Sequence, residues 1–171
     1  MLNRRQRGWI GIDLGTRAVK IAQVERTGSS VRLSRAVILR RAGSSLNPGN
    51  TAARHEHASD DIQCALSLDR RFSGRRAACV LPMLDSDLRT MSIPAGGADE
   101  FRSMIAAELA SHLEGTIDEH VFDFWEDGPS AASSPAAPNV RVLSAKRSVA
   151  LRLGAEVAQA GLSCEVLDGV P

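Results

Sequence analysis

The chain has 171 residues, 43% of them hydrophobic and 24% charged, which is ordinary globular composition with enough length to bury one sizeable core. The basic start MLNRRQR leads into the apolar run WIGI, which Asp13 ends at once, so a signal-peptide core or membrane span is excluded there and a cytoplasmic protein is expected. The net charge of +1 hides a split: residues 1–57 carry 11 Lys/Arg against 3 Asp/Glu, leaving 10 against 17 for the rest. Such a split can build a basic face for phosphate, lipid or nucleic acid, but arginines alternating along strands more simply solvate an outer face. With no tyrosine and no interleaving of basic and aromatic residues, nucleic-acid binding is not expected.

In chain order, Trp9 to Leu14 and Ala18 to Glu25 read as two strands joined by a tight hairpin at Gly15, followed by a turn at Thr27-Gly28-Ser29-Ser30. Val31 to Leu39 alternates with period 2 and predicts a third antiparallel strand with one buried face. Gly43 to Ala58 reads as a solvated loop holding His55 and His57, a spacing that could grip a metal but lacks a third ligand nearby. Ser59-Asp60-Asp61 reads as the cap of a helix with Ile62, Ala65, Leu66 and, at its end, Leu68 on its apolar side. Ala77 to Leu81 is short and apolar enough for a central parallel strand.

Leu88 to Ile93 predicts a strand and Asp99 to Leu113 an amphipathic helix, with Phe101, Met104, Ile105, Leu109 and Leu113 on one side. Val121 to Trp125 and Val140 to Ser144 are two further strands, separated by the linker-like GPSAASSPAAP. Ser148 opens a last helix that ends in a left-handed cap at Gly161-Leu162, and Cys164 to Leu167 closes the fold. The domains expected are therefore a core over 1–87, an inserted strand-helix-strand-strand subdomain over 88–145 and a return to the core over 146–171. Cys64, Cys79 and Cys164 have no Cys-x-x-Cys spacing and read as reduced packing residues, and His112 and His120 as surface or edge residues.

The stretch that carries chemistry is Gly11-Ile12-Asp13-Leu14-Gly15-Thr16-Arg17-Ala18-Val19-Lys20. Gly15 allows close backbone approach, the Thr16 and Arg17 amides can face anionic oxygens, and Asp13 can hold magnesium through water. Taken locally, the same residues also describe an ordinary hairpin whose aspartate caps its turn. No serine-hydrolase elbow, zinc-protease, Walker or dinucleotide motif is present.

This stretch resembles the first phosphate motif of the actin, sugar-kinase and heat-shock chaperone superfamily. GIDLGTRAVKIAQVER, AACVLPMLDSDLRTMSIP, DEFRSMIAAELASHL, TIDEHVFDFWE and VRVLSAKRSVALRLGAEVAQAGLSCEVLDGVP are together similar to the PilM branch, with FtsA as a cousin. Glu114-Gly115-Thr116 departs from the proline-rich turn of that family. The resemblance implies an α/β fold with an actin-like (ribonuclease H-like) core and an inserted subdomain, the second lobe with its other phosphate hairpin and adenosine pocket lying outside this sequence. It implies a cytoplasmic scaffold of a type IV pilus or related secretion system, at the inner membrane through a partner, which binds partners rather than turning over a substrate. The alternative it leaves is a remnant or fragment of a superfamily ATPase or kinase.

The implied cofactors are ATP and magnesium at an incomplete site of Asp13, Gly15, Thr16, Arg17 and Lys20, with Asp13 toward the metal. The implied partner is the cytoplasmic tail of a PilN-like inner-membrane protein, with self-association also open. Phe101 and Glu108, on the insert's helix, are the candidate partner-binding residues, against the simpler alternative that the apolar stripe packs on the insert's own strands and the acids solvate it.

Overall fold

The computed structural model describes residues 6–41, 58–94, 97–126 and 139–169; His55, His57 and the GPSAASSPAAP segment lie outside these. In chain order the elements are β1 (Gln6–Leu14), β2 (Ala18–Thr27), β3 (Ser30–Arg40), α1 (Ala58–Leu68), β4 (Arg76–Val80), β5 (Ser86–Ser92), α2 (Ala98–Ala110), β6 (His120–Glu126), β7 (Asn139–Lys146), α3 (Arg147–Gln159) and β8 (Ser163–Asp168). They fall into two compact units, Met1–Pro82 with Arg152–Val170, and Met83–Leu151; the insert expected over 88–145 lies within the second.

The first unit is built on a five-stranded sheet in the order β3-β2-β1-β4-β8. β1, β2 and β3 form an antiparallel meander, and β4 and β8 run parallel to β1, as the alternating segments predict. The meander turns at Gly28, whose φ of +62° suits a two-residue hairpin. One face of the sheet is closed: Ile10, Ile12 and Leu14 of β1, Val19 and Ile21 of β2 and Ala77 and Cys79 of β4 are all buried. Ile62 and Ala65 of α1 and Leu153 and Val157 of α3 are buried too. The two helices are tied side by side, because the Ser59 amide donates to Glu156 Oε2 at 3.0 Å and Gln63 Nε2 donates to the Gln159 carbonyl at 3.0 Å.

Two polar side chains share the buried region of β2. Gln23 donates from Nε2 to the carbonyls of Gly8 (2.9 Å) and Ser73 (2.7 Å) and accepts from the Ser73 amide (3.2 Å), so its burial leaves neither amide end unpaired. Glu25 is paired with Arg7 at 3.4 Å and Arg32 at 2.8 Å.

β3 departs from the expected single buried face: Val31, Leu33 and Ile38 are 59%, 63% and 68% exposed. The β2–β3 pairing slips between Gln23 and Val24, which pair with Arg35 and Leu33, so Ser34 is the extra residue of a bulge. A one-residue insertion exchanges the two faces of a strand. Val31 and Leu33 therefore share the open face with Ala36 and Ile38, while Arg32 reaches back to Glu25 on the covered one. The α1 cap is also revised, since the helix begins at Ala58 and places Ser59, Asp60 and Asp61 in its first turn, where carboxylates still complement the helix dipole. At the end of α3 the expected left-handed cap is present: Gly161 has φ +82°, and the Leu162 amide donates to the Val157 carbonyl at 3.1 Å.

Among the cysteines, Cys79 and Cys164 pack against each other across β4 and β8 with sulfurs 3.7 Å apart, and burial pushes the Cys79 thiol up. Cys64 is exposed on α1, contrary to the packing role expected for it: the α1 residues buried in the core are Ala58, Ile62 and Ala65, and Cys64 is off that side.

The second unit holds a three-stranded antiparallel sheet, β5-β7-β6, with α2 against it. Its core is Met91, Ile93, Ile105, Leu109, Val140 and Val142, ringed by half-buried Phe101, Met104, Leu113, Ile117, Phe122 and Phe124. Two short 3-10 turns, Met83–Asp85 and Ile117–Glu119, precede β5 and β6 and have too little length to leave a periodic signal in sequence.

Candidate functional site

The β1–β2 hairpin projects from the carboxyl end of β1, with Asp13 paired to Lys20 and Leu14 to Val19. Leu14 and Val19 are buried, and alternation turns their neighbours Asp13 and Lys20 to the opposite face. There Lys20 Nζ donates to Asp13 Oδ2 at 2.8 Å, with the two side chains 57% and 38% exposed. A Cβ built on Gly15 would stand 3.0 Å from the Ala18 carbonyl oxygen. Glycine is therefore required by close approach within the turn rather than by φ, because the positive-φ glycines are Gly28, Gly74, Gly115 and Gly161. The Arg41 amide donates to the Arg17 carbonyl at 3.0 Å and fixes the turn to the end of β3, leaving Thr16 and Arg17 exposed.

The hairpin thus gathers Asp13, Gly15, Thr16, Arg17 and Lys20. An ammonium, a guanidinium and a hydroxyl beside an open turn are groups that bind phosphate oxygens. The Asp13–Lys20 pair is solvent-exposed and weak, so an anion at Lys20 or a hydrated cation at Asp13 replaces it at little cost. Among the described residues no group of three or more His, Cys, Asp or Glu could hold a metal ion. The donor set fits phosphate with a water-held magnesium on Asp13, and does not fit a cage of protein ligands.

A second carboxylate at this end of the sheet was not singled out from the sequence. Asp13 pairs with Val80 and Val80 with Asp168, which puts both aspartates in one row, two strand spacings or about 10 Å apart. The Asp168 carbonyl accepts from the Leu81 amide at 2.7 Å, and its Oδ1 accepts from the Gly169 amide at 2.8 Å. The local signal was an Asp-Gly after the last apolar strand, and only the strand order connects it to Asp13. Carboxyl ends of parallel strands are where open α/β sheets place ligands.

The candidate partner residues lie on α2. Phe101 is half-buried, edge-on to Phe124 with ring centroids 5.8 Å apart, and Arg102 stacks 4.6 Å over Phe122 while donating to its carbonyl at 3.2 Å. Glu108 is exposed, its Oε1 3.5 Å from His112 Nε2, and Glu100 and Glu114 are also exposed. His120 is an edge residue, at the start of the edge strand β6, but not an exposed one: it is buried, with Nδ1 3.1 Å from the Thr116 carbonyl, and the Arg147 guanidinium donates to the His120 carbonyl at 3.4 Å. The 3-10 turn that brings Thr116 back over it is what the sequence pattern concealed.

A β-β-β-α-β core, with a helix and three strands inserted before the last helix and strand, is the actin-like α/β fold. No family model matches the sequence, and no curated protein does. Among solved structures, the chain is similar to the PilM-PilN type IV pilus biogenesis complex, with TM-score 0.78 and 23% identity over 94% of this chain and 47% of that one. It is also similar to the cytoplasmic domain of EpsL, an inner-membrane component of the type II secretion system of Vibrio cholerae, with TM-score 0.58 and 11% identity over 95% of this chain and 57% of that one. At these identities the likeness defines the fold, and the chain spans about half the length of the solved chains it matches.

Proposed function

We propose that this protein is an assembly scaffold of a type IV pilus or related secretion machine, which acts by binding the cytoplasmic tail of a PilN-like inner-membrane protein. The observation that carries the reading is the shared fold over 94% of the chain with a protein solved as a pilus biogenesis complex. No helix among the described residues is long and apolar enough to cross a membrane, and the proposed attachment to the inner membrane is through the partner. The second unit offers what an extended peptide needs. Its sheet has β5 and β6 as edge strands whose outer backbone groups can pair with an added strand, and α2 presents acids at Glu100 and Glu108, with Glu114 in the turn beyond it.

The test is a titration of a fluorescein-labelled peptide of a PilN-type cytoplasmic tail, followed by anisotropy. Glu108→Lys alters an exposed charge and is expected to weaken binding by about threefold or more, mainly through the association rate. Phe101→Ala also removes core packing, so its binding is measured only where circular dichroism shows the native fold. No saturable binding to the wild type, or unchanged affinity in both folded variants, defeats the reading.

A second reading, nucleotide binding at the β1–β2 hairpin, is favoured by the row that joins Asp13 to Asp168. Here Lys20 and the Thr16–Arg17 turn would hold phosphate, and Asp13 would hold the hydrated magnesium that offsets its charge.

A further inference from the structure

The thiols of Cys79 and Cys164 meet across the last two strands of the five-stranded sheet, one buried and the other half-exposed. Ala77 and Cys79 of β4 are buried on the covered face, and Cys164 of β8 is paired opposite Ala77. The register slips just beyond, because Ala77 and Ala78 pair with Cys164 and Val166 and leave Glu165 as an extra residue. Cys164 Sγ stands 3.7 Å from Cys79 Sγ and 3.6 Å from the Val166 carbonyl oxygen. A disulfide, at about 2.05 Å, is about 1.6 Å of approach away, within range of χ1 rotation at the two residues. The two thiols are unequal. Cys79 is 1% exposed, and burial first, then the neighbouring sulfur, pushes its thiol up, which keeps it protonated and shielded from oxidants in solvent. Cys164 lies on the edge strand, where a small oxidant reaches it.

We infer that Cys79 and Cys164 are an oxidation site, which peroxide converts to a reversible disulfide that staples the edge strand β8 to β4. The Cys164 sulfur, as thiolate, attacks one peroxide oxygen; the O–O bond breaks, the other oxygen leaves as water after taking a proton, and Cys164 becomes a sulfenic acid. The Cys79 sulfur then attacks the Cys164 sulfur and displaces its hydroxyl group, which leaves with the Cys79 proton as a second water. In sum two thiols lose two hydrogens with their electrons, and one hydrogen peroxide is reduced to two waters. Oxidation of Cys164 also removes a neighbour that helps to hold the proton on Cys79. Exchange with a small thiol reverses the bond, as suits a switch in a reducing compartment. Without it, β8 is tied at its ends by the Ser163 amide on the Arg75 carbonyl (2.6 Å) and the Leu81 amide on the Asp168 carbonyl (2.7 Å). The cysteines are 85 residues apart, so the bond closes a loop containing every element between β4 and β8, and long loops gain most from closure. Asp168, in the row with Asp13, is carried on the stapled strand.

The experiment treats the purified full chain with hydrogen peroxide, then with an alkylating agent, and measures the intact mass; Cys64→Ser, at an exposed position, removes the third thiol. The expected product has lost two hydrogen atoms, takes up no alkylating agent and yields one cross-linked peptide joining Cys79 to Cys164, and dithiothreitol returns both thiols. Cys164→Ser, at the half-exposed position, should abolish that mass loss and leave Cys79 a thiol. Hydrogen exchange over Ser163–Asp168 should slow by about tenfold or more in the oxidised form and recover on reduction. Sulfinic acid at Cys164 with Cys79 still a thiol overturns the inference; so does a cross-link that forms only in urea, or β8 exchange that is the same in both forms.

Discussion

The carboxylate of Glu25 accepts a 2.8 Å hydrogen bond from Arg32 and lies near Arg7, and these cations hold its pKa below the ordinary 4.5 against the opposing effect of burial. Asp69 accepts bonds from the Arg71 guanidinium and amide, with Arg35 nearby at 3.8 Å, and is lowered from 3.8 to about 2. A depressed carboxylate means the unfolded chain takes up the proton first as the pH falls. The contribution of both groups is therefore complete above their ordinary values and disappears as the pH drops through the folded ones. The urea midpoint is expected to fall between about pH 5 and pH 2.5, and Asp69→Asn to flatten the lower part of that decline. A midpoint flat over this range would contradict the assignment. At this scale Asp13, Gly15 and Lys20 were legible in the sequence because a hairpin makes its contacts within eight residues. Asp168 and His120 were not, because the neighbours that give them meaning arrive through strand order and a 3-10 turn.

Among the elements, the β1–β2 hairpin carries the nucleotide reading, and its geometry limits what it can bind. With phosphate held by Lys20, Arg17 and the turn, the adenine and ribose remain in water and contribute little apolar burial. Calorimetry with magnesium-ATP is expected to give a dissociation constant weaker than about 100 µM. A value near 1 µM that Asp13→Ala abolishes would show a more complete pocket. Strands β1, β2, β4 and β8 follow their apolar periodicity to within a few residues at each end, and α3 ends at the glycine the sequence marks for it. β3 was misread for a specific reason: alternation identifies a strand but carries no record of a bulge, which depends on pairing with β2 at Gln23 and Val24.

The described residues form two cores, one in each unit: one beneath α1 and α3 and one beneath α2. Ile105 is fully buried in the second, so Ile105→Ala leaves a cavity there and is expected to cost about 2–5 kcal/mol. Hydrogen exchange monitored by mass spectrometry should show β6 and β7 losing protection while β1 and β2 keep theirs. Equal loss in both sheets would mean that the units unfold as one. The bulge at Ser34 has its own consequence at this scale, because it divides β3 into two segments of opposite phase. Apolar side chains before it belong to the open face, and Val37 and Leu39 beyond it belong to the covered one, so a single strand edits two surfaces at once. Deleting Ser34 would remove the bulge and keep Leu33 opposite Val24 and Arg32 opposite Glu25; only an unbulged strand with Ser34 itself opposite Val24 would turn Arg32 away from Glu25 and Leu33 toward the helices. The register of pairing at that one point, more than the identity of any residue in it, decides which surface of the sheet is sealed and which is offered.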